Sequence, residues 1–144
     1  MARYATVEDL LLRLSDLHSG VYRKLDGKMM TAEAESDIAA AEAEIDGVIG
    51  VRYTVPVTSA AAVGLLKSWT LTLAEELAWS RSGKDALPKN LEQRLATVRR
   101  YLRDVAKGET DLPGAAEDAA SGAGSVVLVE GNTPEFTRKK LAGF

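Results

Sequence analysis

Cysteine is absent from this 144-residue chain, which excludes a disulfide framework, a thiolate nucleophile and any cysteine-ligated metal. Histidine occurs once, as His18, and in a polar turn it reads as a surface residue rather than a catalytic base. There is no HExxH, GxSxG or Walker-type phosphate loop. Gly83-Lys84 lacks the glycine-rich lead and the following Ser or Thr, and the SGAGS glycines follow an alanine tract rather than a strand. No run approaches the roughly 20 apolar residues of a membrane span, and Glu8 and Asp9 precede the first apolar run. The expectation is a soluble chain without an export signal. An excess of positive charge is missing too: the net charge of -3 excludes a globally basic nucleic-acid binder, though not a local patch. No residues are left to carry an enzyme, and no metal or cofactor is expected.

What is present is a 46% hydrophobic chain, long enough for one cored domain and short for two. Thr6 is placed to cap a short first helix with Glu8 and Asp9 in its first turn, ending near Leu17. HSGVYRKLDGKMM, broken by two glycines, reads as a connecting loop. From Thr31, Ile38, Ala41, Ile45, Val48 and Ile49 line one side of a second helix. Glu33, Glu35, Asp37, Glu42, Glu44 and Asp46 occupy the remainder, which reads as a solvated acidic surface or a partner-facing patch.

A third run, SAAAVGLLKSWTLTLAEELAWSR, carries Ala62, Leu66, Trp69, Leu73 and Leu77 on one stripe, while Leu71 and Trp79 point elsewhere. A helix apolar on more than one side belongs in the middle of a bundle or at a partner. Pro88 opens a fourth helix, in which Leu91, Leu95, Val98, Leu102 and Val105 keep helical spacing until Gly108 closes it. Its opposite side gathers Lys89, Arg99, Arg100, Arg103 and Lys107. Three uses of this stripe stay open: a solvated surface, packing against the acidic helix of a neighbouring copy, and contact with DNA.

Between the second and third helices lies IDGVIGVRYTVPV. Pro56 restricts Val55 to extended geometry, so Arg52, Tyr53 and Pro56 form a corner between two helices. Tyr53 can cover the end of the bundle while Arg52 caps helix C-terminal carbonyls or pairs with a carboxylate; the alternative is a pair that faces a partner. After Pro113 the composition changes. AAEDAASGAGS is small and flexible in character, VVLVE is β-prone, and the chain closes with a basic, aromatic tail. The expected fold is therefore all-α, a four-helix bundle over residues 1–113 followed by an extended C-terminal arm over 114–144 that contains a short β-prone segment. Val126, Val127, Leu128 and Val129 suit strand addition, and Phe136, Leu141 and Phe144 suit apolar anchoring, with Arg138 for an acidic rim.

Four stretches taken together, YATVEDLLLRL, AEAEIDGVIGVRYTVPV, LPKNLEQRLATVRRYLRDVAKGETDLPG and the closing FTRKKLAGF, resemble the Mu-like bacteriophage neck protein family, small all-α head-tail connector or head-completion proteins. The resemblance implies a connector-type bundle and a virion structural protein. It would form a ring, by analogy a dodecamer, between the portal and a tail-side neck or tail-terminator protein, and complete the head after DNA packaging. It implies a location in the virion neck, reached through the host cytoplasm during assembly, with genomic DNA in the lumen read without sequence specificity and no membrane contact. Within such a ring, Glu33, Glu35, Asp37 and Glu42 would face Arg99, Arg100, Arg103 and Lys107 of the next copy. The competing reading is a cytosolic helical adaptor or regulatory domain that binds one protein partner through its arm.

Overall fold

A computed structural model describes residues 4–14, 22, 30–83 and 86–115. Thr6 begins the first helix through a reciprocal cap: its hydroxyl accepts from the Asp9 N–H, and the Asp9 carboxylate accepts from the Thr6 N–H. That satisfies two backbone donors which a helix N-terminus otherwise leaves unpaired. The helix, α1, spans Val7–Arg13. Helices α2 (Thr31–Ile49), α3 (Ala60–Arg81) and α4 (Lys89–Lys107) follow. The described architecture is an all-α four-helix bundle, and no β-strand occurs among the described residues. The β-prone segment at Val126 to Val129 lies outside them.

Helices α2 and α3 form the centre, each touching the other three helices, and α3 is the more heavily buried of the two. Ala62, Leu66, Trp69, Leu71, Leu73 and Ala78 are all buried along it, as expected of a helix apolar on more than one side. The i, i+4, i+7 pattern of α4 maps directly onto burial: Leu91, Leu95, Val98, Leu102 and Val105 all lie in the core. On α2 the buried apolar residues are Ala34, Ile38, Ala41, Ile45 and Ile49. Fully burying each of the Leu, Ile and Val side chains contributes about 1.5–3 kcal/mol.

Ion pairs give the helix directions. Arg81 meets Asp37, so α3 runs back along α2. Arg99 meets Glu44 and Arg52 meets the Val105 carbonyl, so α4 runs the same way as α2. Helix α4 ends at Gly108, whose φ of 86° is a left-handed conformation that glycine adopts without a Cβ clash.

Tyr22 is fully buried and its hydroxyl donates to Asp37 at 2.7 Å, which makes it part of the core.

Candidate functional site

Two tyrosine-centred groups hold the ends of the bundle. At the corner after α2, the Arg52 guanidinium donates to the carbonyls of Val105 at 2.6 Å and Thr110 at 3.1 Å, and to the Asp111 carboxylate at 2.8 Å. It therefore caps the C-terminal end of α4, where carbonyls lack helical partners and positive charge is favoured. Tyr53 lies beneath it, with the guanidinium 5.2 Å from the ring centroid, and the Tyr53 hydroxyl accepts from the Leu112 N–H at 3.1 Å. Pro56 is exposed and follows a cis peptide bond. Ser59 donates to the Pro113 carbonyl at 3.1 Å, and Gly114 turns beside it with a φ of 69°. The positive φ favours glycine there, and a Cβ on Gly114 would come within 2.7 Å of the Ser59 hydroxyl and displace it.

At the other end of α2, Asp37 is buried and accepts from Tyr22 and from the Arg81 Nε at 2.6 Å and Nη2 at 2.9 Å. Burial, then the hydrogen bond to Asp37, pushes the Tyr22 hydroxyl well above the usual tyrosine range. The same carboxylate holds Arg81 firmly protonated. One turn further on, Glu42 is buried and accepts from the Tyr4 N–H at 2.8 Å. The Tyr4 hydroxyl donates to Asp46 at 2.7 Å and accepts from the Val57 N–H at 3.0 Å.

These contacts correct the reading of α2 as a uniformly solvated acidic surface. Asp37 and Glu42 are turned into their own subunit because tyrosines and backbone donors reach them there. Both sit at the i, i+3, i+4 positions of the buried stripe formed by residues 34, 38, 41 and 45, and that placement was the available signal. Glu33 is half-buried and Glu35 exposed.

On α4, Arg99 is also engaged within the subunit, with Glu76 at 2.6 Å and Glu44 at 3.2 Å, and the Glu76 contact leads in raising its pKa. Arg100, Arg103 and Lys107 are exposed and make no ion pair among the described residues. Arg100 covers the Tyr101 ring at 5.6 Å, and that ring stacks on Trp69 at 6.2 Å. Sequence reasoning missed Glu75, a buried carboxylate shared by Arg13 at 2.7 Å and Arg94 at 3.0 Å. It lies i+4 from Leu71, inside the apolar part of α3. The arm residues Val126, Val127, Leu128, Val129, Phe136, Arg138, Leu141 and Phe144 lie outside the described residues, as does His18.

No group of three or more His, Cys, Asp or Glu among the described residues could hold a metal ion, and no described helix is long and apolar enough to cross a membrane. Among the described residues there are open grooves between helices. One of about 510 Å³ is lined by Glu44, Val48, Ala96, Arg99, Leu102 and Arg103.

Such a set of grooves and charged helix faces suits protein contact. The family described as Bacteriophage Mu, Gp36, matches residues 4–130. The chain belongs to that family. The Gp36 match takes in all four helices and both tyrosine groups, and it continues past the last described residue. Among relatives, Gene product J of Escherichia phage Mu is 33% identical over 144 residues, covering 95% of this chain and 96% of that protein. Both names belong to phage Mu, in keeping with the phage lineage to which the sequence resemblance points.

Proposed function

We propose that this Gp36-family chain is a virion structural protein of the head-tail neck, where copies form a ring between the portal and a tail-side neck or tail-terminator protein. The observation that carries the reading is the similarity to a phage Mu gene product along almost the full length of both chains. The physical character of the described residues supports it: helices held by internal ion pairs, exposed cations on one helix face, and open grooves between helices. In this reading the ring, matched to the portal and so a dodecamer, closes the head after packaging. DNA passes its lumen without being read. Residues 114–144 act as an arm that docks on the portal or an adjacent subunit.

Deleting the gene and imaging the lysate tests the proposal. DNA-filled or leaking heads and unattached tails should accumulate, and the full chain supplied in trans should restore joined particles that contain it. Normal joined virions from the deletion would overturn the proposal, as would purified virions lacking the wild-type chain.

A further inference from the structure

Leu12 is 86% exposed, the most exposed large apolar side chain among the described residues. It lies on α1 one turn after Glu8, so the two share a face. Glu8 is exposed and has no ion pair among the described residues. That face is a single apolar knob beside an unpaired carboxylate.

Elsewhere on the molecule is a surface of matching character. The α2–α4 groove of about 510 Å³ has Val48, Ala96 and Leu102 in its wall, with Arg99 and Arg103 among its lining. Arg99 is occupied by Glu76 and Glu44. Arg103 donates only to the Arg99 carbonyl at 3.4 Å, so its charge is available. Helices α1 and α4 both pack on α2 and α3, and the groove opens between α2 and α4, away from the α2–α3 seam that α1 covers. A subunit therefore does not fill its own groove with its own α1.

We propose that the α1 face of one copy docks in the α2–α4 groove of the next, with Leu12 against Val48 and Ala96 and with Glu8 beside Arg103. The occupant is a second copy because charge and apolar character are complementary and both halves are built into one chain. The two surfaces differ, so the contact is heterologous. Repeating it gives a ring when the rotation closes and a filament when it does not. The inference rests on the neck-ring reading and names the contact that would join its subunits.

The absence of native cysteine allows a direct test on the full chain. A Leu12→Cys, Ala96→Cys double variant, oxidised at high protein concentration, should give a ladder of covalent oligomers extending beyond dimers. Leu12→Cys paired with Ser80→Cys, an exposed position outside the groove's lining, should give no such ladder. Arg103→Glu in the double-cysteine background should lower the yield roughly fivefold, about 1 kcal/mol, and adding Glu8→Arg should recover it. Circular-dichroism melting of each variant guards against misfolding, and because the substituted sites are exposed the melts should match wild type. No ladder beyond the Ser80 control would overturn the contact, as would efficient dimers from Leu12→Cys alone, which would place α1 against α1. Neither result touches the neck reading, which is decided separately by whether virions contain the wild-type chain.

Discussion

The two ends of α2 carry the same three residue types, arranged inside out with respect to each other. At the N-terminal end the aspartate is hidden and the arginine reaches outward: the Asp37 side chain is 7% exposed and that of Arg81 37%. At the corner the arginine is covered and the aspartate is outside, with Arg52 at 16% and Asp111 at 76%. The first group is organised around a buried carboxylate that collects donors, and the second around a guanidinium that collects carbonyls. Only the tyrosine is buried in both. Of the two charged members at each end, the one at the centre should matter more, since removing it strands its partners, whereas the outer one can be replaced by water.

The largest effects should come from the shared element. Tyr22→Ala and Tyr53→Ala should each destabilise the subunit by about 3–5 kcal/mol in urea unfolding, as expected for deleting a buried aromatic. A marked inequality would break the comparison by showing that one end carries the fold. Next, Asp37→Ala should cost about 2–3 kcal/mol, below the range for a fully buried pair because Arg81 can turn to solvent. Arg52→Ala should cost about 1–2 kcal/mol, since the carbonyls it caps lie near water; equal values for these two would remove the distinction between a buried acid and a covered base.

A pH titration sharpens the same point. Tyr22 keeps its proton in the folded state to higher pH than in the unfolded chain, so its contribution is intact below pH of about 10. Above that the unfolded state ionises first, and stability should fall by up to about 1.4 kcal/mol per pH unit. Tyr22→Phe should flatten this alkaline slope in urea titrations repeated from pH 9 to 11. The smallest effect belongs to Asp111→Ala, about 0–1 kcal/mol, because its partner keeps two carbonyls and the carboxylate is largely in water.

The comparison also marks what a sequence can show. Helix α4 was legible throughout, because one apolar stripe, one starting proline and one closing glycine all agreed. The central place of α3 was legible in its second apolar side. The corner drew attention as a tyrosine, an arginine and a proline at a break in helical spacing, yet nothing local indicated that Arg52 reaches carbonyls more than 50 residues away. Asp37, Glu42 and Glu75 were harder, because a carboxylate on a buried stripe looks like a surface residue until its donors are placed in space. Those donors, Tyr22, Tyr4, Arg13 and Arg94, come from segments distant in sequence or from a stretch with no period of its own.

The corner also bears on the order of events in folding. Its bonds join residues 53 to 59 positions apart, from Arg52 to Val105 and from Tyr53 to Leu112, whereas α1, α2, α3 and α4 each form from local contacts. Closing so long a loop carries an entropic cost that is offset only once the intervening helices have packed. The Arg52 clasp is thus expected to close late, after the helices have packed. Arg52→Ala should then leave the folding arm of a urea chevron nearly unchanged and raise the unfolding rate, so that Arg52 would act chiefly on how long a folded subunit lasts.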